Sequence, residues 1–342
     1  MKKKFIVPAV FGIAILSVAA LIFVYYRLTN ILMYWDVDPA VAKTQREAIC
    51  SDWLSDVAYG DLRPGAAKGT AVDISCEDIF KVPFEELPVK TETGFALRSR
   101  LFSLQLQNGQ PPKDDTPIFI HIHGISGNWL HGARYVKMAS RLGMRLAVVE
   151  LSNHGFSANN GLGAALGCRE KDDVIALMKY LYTRYPQAPL YLHGTSMGTM
   201  AIFNGITEIQ ELDSHKMLKA LAIENPIPSL RHMVMDSSMR PPLPEFLLEG
   251  ALKFADFRTG LNFDKCRPID KVAAVNRPTL IYQTVKDDIV PEKFSQLVMD
   301  TLPQGVTKEM KVFQNGSHSA VWNGQPEEVE SMLASFWSKY QP

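Results

Sequence analysis

A serine framed by glycines at a strand-to-helix turn constrains this chain more than any other feature. Pro189-Leu190-Tyr191-Leu192 is an apolar run, Gly194-Thr195-Ser196-Met197-Gly198 follows it, and Thr199-Met200-Ala201-Ile202-Phe203 is compatible with a helix. The pattern reads as a strand, a sharp turn and a helix, with Ser196 at the apex. At Gly194 and Gly198 a larger side chain would collide with the neighbouring strand and helix. A turn of this kind lifts the serine hydroxyl clear of a sheet and sets the following backbone N–H beside it.

A serine hydroxyl is a weak nucleophile at neutral pH and needs a base, normally a histidine oriented by a carboxylate. Two late segments supply those groups in the order Ser, Asp, His. Pro278 to Gln283 reads as a buried strand and runs into Lys286-Asp287-Asp288-Ile289-Val290-Pro291. Lys311-Val312-Phe313 reads as the last strand and runs into Gln314-Asn315-Gly316-Ser317-His318. Between them Pro291 to Leu302 reads as a helix with proline in its first turn.

With these motifs in order, residues from about 85 to 340 resemble the α/β-hydrolase superfamily, in the branch of serine esterases, lipases, monoacylglycerol-lipase-like enzymes and serine peptidases. Asp287 to Pro291 matches the family's Asp-x-x-Val-Pro signature, which selects Asp287 over Asp288 as the acid. His123-Gly124, after the apolar run Thr116 to Ile122, matches the His-Gly of the third strand. The resemblance implies a triad of Ser196, Asp287 and His318. It also implies an oxyanion hole from the backbone N–H groups of Ile125 and Met197, each donor contributing roughly 3–4 kcal/mol to lowering the barrier. No metal or organic cofactor is implied.

The remaining landmarks fit an α/β fold with a mostly parallel, doubly wound sheet. Phe95 to Phe102 and the segment before it read as early antiparallel strands, and Arg145 to Leu151 and Leu218 to Ile223 as further parallel ones. Glu170 to Tyr182 reads as a crossover helix. Ser152 to Ser157 matches the family's Gly-His-Gly-x-Ser turn, with Asn153 in place of the first glycine. From about 225 to 265 five prolines interrupt the pattern around a short apolar helix, Phe246 to Phe254, read as a small helical cap; an ordinary connection is the alternative. Met233, Met235 and Met239 there could line a pocket or fill the core.

Lys2-Lys3-Lys4 precede 22 uncharged residues, Phe5 to Tyr26. As a helix they would span about 33 Å, near the hydrocarbon thickness of a bilayer. The basic flank, residues 1–4, is expected to stay cytoplasmic and the domain at 85–342 to be exported, joined by a linker over 27–84. The reading is an uncleaved single-pass anchor; its rival is a signal peptide cleaved near Ser17-Val18-Ala19, giving a secreted protein. The four cysteines, Cys50, Cys76, Cys168 and Cys266, suit that compartment and allow three pairings. Cys50–Cys76 would pin the linker and Cys168–Cys266 would tie the cap to the core; four unpaired cysteines are the alternative.

The 342 residues carry 36 basic and 36 acidic side chains. That balance leaves no bulk charge to attract nucleic acid. His121 and His123 alternate along a strand, but no carboxylate cluster accompanies them, so His123 reads as a turn residue rather than a metal ligand. His193 is expected beneath the turn at Ser196. Trp129 and His131 could touch substrate or simply pack. Asn315-Gly316-Ser317 fits a glycosylation acceptor, yet a sugar beside His318 would obstruct the site. Carboxylic ester hydrolysis, with acyl lipids as a substrate class, is the leading expectation. Peptide or amide hydrolysis and acyl transfer use the same groups, and a non-catalytic binding module is the reading from a different class.

Overall fold

The structure is a computed structural model describing residues 6–33, 79–104 and 109–341, with the side chains of 6–14, 31 and 323 outside the description. Its elements run α1 (Ile6–Met33), β1 (Phe84–Lys90), β2 (Ala96–Phe102), β3 (Ile118–Ile122), α2 (Trp129–Ala133), α3 (Val136–Arg141), β4 (Arg145–Val149), α4 (Glu170–Arg184), β5 (Leu190–Thr195) and α5 (Met197–Leu212). They continue with β6 (Leu218–Glu224), α6 (Leu230–Asp236), α7 (Glu245–Thr259), α8 (Pro268–Val272), β7 (Thr279–Thr284), α9 (Glu292–Thr301), β8 (Lys308–Phe313), α10 (Val321–Gly324) and α11 (Pro326–Ser338).

Eight strands form one sheet in the order β1-β2-β4-β3-β5-β6-β7-β8. β1 pairs β2 and β2 pairs β4 antiparallel. Every later pairing is parallel. Helices cover both faces, so β3, β4 and β5 are buried along their whole length. That double burial is why they appear in the sequence as continuous apolar runs rather than alternating ones. One core, with Ile120, Leu192, Ile202 and Phe203, lies on one face, and a second, with Phe119, Tyr191, Trp322 and Trp337, lies on the other.

The segment between β6 and α8 holds two helices. Ser229 caps α6, its hydroxyl accepting the His232 N–H, and α7 stops at Gly260, whose φ of 68° few other residues adopt readily. α7 is longer than the apolar stretch that announced it, because Leu248, Ala251, Leu252 and Ala255 continue the buried stripe at helical spacing. Cys168, just before α4, is disulfide-bonded to Cys266, just after α7. Cys50 and Cys76, and with them the other expected bridge, lie outside the described residues.

α1 runs beyond Tyr26 to Met33 and packs on α7. The Tyr25 ring lies 5.9 Å from that of Phe254. Arg258 sits 4.2 Å over the Tyr26 ring and donates to the Thr29 hydroxyl at 2.6 Å. Among the described residues no helix is long and apolar enough to cross a membrane. Of the expected span 5–26, residue 5 and the side chains of 6–14 lie outside the described residues.

A buried acid fastens α4 to the loop after β4. Asp173 accepts the Ser152 N–H and the Ser152 hydroxyl, each at 2.7 Å. Burial nonetheless pushes its carboxyl up from 3.8 to about 7, with nearby Glu170 and Asp172 adding to the rise. The folded chain therefore keeps a proton that the unfolded chain has already released. This contribution favours folding below pH 4 and is lost as pH rises from about 4 to about 7. Asp173→Asn is expected to gain stability relative to wild type by about 2 kcal/mol on going from pH 5 to pH 7, somewhat less than two units at 1.36 kcal/mol each because the folded carboxyl is already half ionised at pH 7. Urea unfolding at the two pH values measures it, and an equal difference at both would refute the assignment.

Candidate active site

Ser196 sits between β5 and α5 with φ 52° and ψ −121°, in a region that residues with side chains rarely adopt. Such a conformation costs of order 1–3 kcal/mol and persists only where neighbours enforce it. Here they do. The Ser196 N–H donates to the Glu224 carbonyl at 3.1 Å, and its own carbonyl accepts the Thr199 N–H at 2.9 Å and the Thr199 hydroxyl at 2.6 Å. The flanking glycines are sterically required. A Cβ on Gly198 would lie 2.3 Å from the Ile122 carbonyl oxygen, and one on Gly194 would lie 2.5 Å from Ile202 Cδ1. The strain therefore lifts one hydroxyl to the carboxyl end of the sheet.

The three residues read as a triad meet at this point. His318 Nε2 is 2.8 Å from Ser196 Oγ, and His318 Nδ1 is 2.9 Å from Asp287 Oδ2. Their order fixes the tautomer: Nδ1–H donates to the carboxylate, leaving Nε2 as acceptor for the serine proton. Asp287 Oδ1 accepts two backbone N–H groups, from Ile289 at 2.8 Å and Val290 at 2.7 Å. The Asp-x-x-Val spacing thus ties the carboxylate to its own turn, while the following Pro291 precedes α9. The Asp287 side chain is 1% exposed, so solvent does not compete for its lone pairs.

On the other side of Ser196, Gly124 passes so close that a Cβ there would lie 3.1 Å from Ser196 Cβ. His123 shapes this loop: Nδ1–H donates to the Gly124 carbonyl at 2.6 Å, and Nε2 accepts the Leu151 N–H at 3.0 Å. Burial first, and nearby His154 second, hold its imidazole well below the usual histidine range, so it is neutral as those two bonds require. The N–H groups of Ile125 and Met197 make no hydrogen bond among the described residues. Met197 opens α5, where the first N–H groups lack intrahelical acceptors. Met197 follows Ser196 at the end of β5, and Ile125 follows Gly124 after β3, the strand paired with β5.

Residues read as bland are bland for identifiable reasons. His193 is buried beneath the turn, its Nε2 2.7 Å from the Tyr282 hydroxyl, and burial lowers it to about 3. His121 shares a 2.8 Å hydrogen bond with it through the two Nδ1 atoms. Trp129 stacks on Phe102 under the Arg100 guanidinium, inside the second core. His131 Nδ1 accepts the Asn128 N–H in a helix cap. Asn153 takes φ 64°, the conformation of the glycine it replaces, which asparagine tolerates better than most residues.

Arg134, Glu224 and Asn225 have no counterpart among the residues singled out from sequence. All three are buried. Arg134 donates to the Ser319 carbonyl at 2.9 Å, and Glu224 Oε1 accepts the Val321 N–H at 3.0 Å. Asn225 contacts Asp287 and Ser319. Burial raises the Glu224 carboxyl, while Arg134 pulls it back down.

Fold and site together define a serine hydrolase of the α/β-hydrolase type. The chain belongs to the prolyl oligopeptidase family, whose pattern matches residues 148–341. It is 23% identical over 240 residues to the protein YqkD of Bacillus subtilis (strain 168), covering 69% of this chain and 76% of that one. Among solved structures, the Pyrococcus furiosus esterase Pf2001 is similar, with TM-score 0.58 and 19% identity over 78% of this chain and 96% of that one. The acylaminoacyl peptidase of Pyrococcus horikoshii superposes with TM-score 0.56 and 17% identity, over 77% of this chain and 43% of that one. Est1E of Butyrivibrio proteoclasticus, solved with ferulic acid, has TM-score 0.54 and 16% identity over 74% and 98%. At these identities the structures share the fold.

Proposed function

We propose that this protein cleaves carboxylic esters bearing a hydrocarbon chain, through an acyl-serine intermediate on Ser196. The observation that carries the reading is the unbroken chain Ser196 Oγ, His318 Nε2, His318 Nδ1, Asp287 Oδ2, with bonds of 2.8 and 2.9 Å. His318 takes the Ser196 proton as Oγ attacks the carbonyl carbon, and Asp287 stabilises the imidazolium that forms. The N–H groups of Ile125 and Met197 receive the developing oxyanion. The leaving alcohol departs with the proton from His318, and water activated by the same histidine then releases the acid.

In this reading the hydrocarbon chain occupies an apolar cavity of about 220 Å³ between α1, α6 and α7, which none of Ser196, Asp287 and His318 lines. Leu28, Leu32, Leu230, Met233, Leu248 and Leu252 are among its walls. Its polar group, the Thr29 hydroxyl, already bonds the Tyr25 and Tyr26 carbonyls and Arg258, so nothing there seeks a polar ligand. The same helix, from Ile6, carries the described part of the uncharged stretch 5–26. In this reading that stretch anchors the protein in a membrane, with the cap docked on its emerging turns and the catalytic domain exported. A lipid ester then meets the cap beside its own source.

Peptide or amide hydrolysis is the second reading, favoured by membership of the prolyl oligopeptidase family. A panel of p-nitrophenyl esters of rising chain length, set against aminoacyl p-nitroanilides, separates the two. The expected result is preference for esters, with kcat/KM rising by up to about fourfold per methylene, the equivalent of about 0.8 kcal/mol, until the cavity is full. Leu252→Trp, which fills the cavity, should move the optimum to shorter chains. Faster anilide than ester turnover would replace this reading by the peptidase one.

A further inference from the structure

Ser319, directly after His318, sits at φ 59° and is held by side chains on both its backbone groups. Asn225 Oδ1 accepts its N–H at 3.3 Å, and Arg134 donates to its carbonyl at 2.9 Å. Of the residues bracing this loop, Asn225 also reaches the acid: its Nδ2 donates to Asp287 Oδ2 at 2.5 Å. That oxygen is the one facing His318 Nδ1. Asn225 is fully buried, takes φ 51°, and donates its own N–H to the Tyr282 carbonyl at 3.0 Å. The amide can face in only one sense. Reversing it would set two acceptors together at Asp287 and two donors together at Ser319.

We propose that Asn225 is a positioning residue of the site, fixing the Asp287 carboxylate and the His318 loop relative to each other with one amide. This rests on the serine hydrolase reading of Ser196. With Asn225 in place, Asp287 Oδ1 has two backbone donors and Oδ2 has the amide and the imidazole. The carboxylate cannot rotate about its bond, so one lone pair stays aimed at Nδ1. Removing the amide leaves Oδ2 with a single partner and strands the Ser319 N–H. The imidazole then samples orientations in which Nε2 no longer faces Oγ. The titratable and charged groups around this amide are Asp287 and His318, Glu224 next to it in the chain, and Arg134 across the loop.

The test uses the full-length protein and two substitutions. Asn225→Gly tolerates φ 51°, removes the amide, and is expected to lower kcat per titrated site about 10–100-fold with KM within about twofold. Asn225→Asp keeps an acceptor for Ser319. It restores the donor to Asp287 only while its own carboxyl is protonated, and a neighbouring carboxylate favours that state. Its kcat/KM relative to wild type should therefore fall as pH rises from 6 to 9, whereas the Asn225→Gly ratio stays flat. A merely structural role would give two parallel profiles. Wild-type kcat in Asn225→Gly, or a pH-independent ratio in Asn225→Asp, overturns the proposal. If wild-type protein neither turns over esters nor reacts with a fluorophosphonate, the hydrolase reading fails by itself. The His318 ring titration, followed by NMR, then decides: it moves in Asn225→Asp if the amide couples the pair, and an unmoved titration sinks the coupling.

Discussion

Ser196→Ala is expected to lower ester turnover by roughly 10³–10⁶-fold while leaving the fold intact. The size of the effect follows from what the hydroxyl does. Without Oγ there is no atom to form the acyl bond, and the residual rate comes from the oxyanion donors and substrate binding alone. The fold survives because alanine carries the same Cβ, so the φ of 52° is no more strained than before. The bonds that enforce the turn, to the Glu224 carbonyl and from the Thr199 N–H and hydroxyl, use only the backbone groups of Ser196. Among the described residues the hydrogen bond lost is the one to His318 Nε2. Initial rates on an optimal ester, fluorophosphonate labelling and a thermal melt measure all three aspects. Activity within tenfold of wild type, in a protein that still melts like it, would sink Ser196 as nucleophile.

The parts of this site legible in the sequence are those whose geometry is local. A strand buried on both faces becomes an apolar run, so β3, β5 and β7 announced themselves, and each carries its chemistry at its carboxyl end. The glycines around Ser196 and the spacing from Asp287 to Pro291 encode turns closed within a few residues. β8 was only half visible: as an edge strand it is mostly half-exposed, and Lys308, Glu309 and Lys311 interrupt its apolar pattern. α7 was cut short because polar residues, including Arg258 and Asp256, dilute its last turns, although Arg258 meets Tyr26 and Thr29. α1 continues past Tyr26 because its later residues pack on that helix.

The braces behind the histidine loop were not legible. Arg134 and Ser319 are 185 positions apart, and Glu224 and Val321 are 97 apart. No local pattern marks such a pair. The one trace is that an apolar strand, Leu218 to Ile223, ends in a glutamate and an asparagine, an unusual place for two polar groups that end up fully buried. Buried polar side chains at a strand's carboxyl end, in a parallel sheet whose sites lie at that edge, are worth following to their partners.

The second large effect concerns the bridge between Cys168 and Cys266, which are separated by 98 positions. Closing a loop of that length restricts the unfolded chain strongly, and replacing both cysteines by serine is expected to cost about 3–5 kcal/mol. For a domain of this size that corresponds to a fall of roughly 6–20 °C in Tm. The loss should be felt first in the segment carrying α6 and α7. Cys266 lies where the chain returns from α7 to the core, and Cys168 lies just before α4, so the bond clamps the end of the α6–α7 segment to the sheet's helical layer. Asn204 reinforces the junction, donating to the Gly167 carbonyl at 3.2 Å and to Cys266 Sγ at 3.3 Å. Proteolysis of the serine variant should therefore start between 237 and 265 before the sheet is cut. Reduction supplies the matched control: dithiothreitol should bring the wild-type Tm down to that of the double variant and leave the variant unchanged. A double variant melting within about 2 °C of wild type, at most about 1 kcal/mol by the same conversion, would mean that packing alone holds the α6–α7 segment.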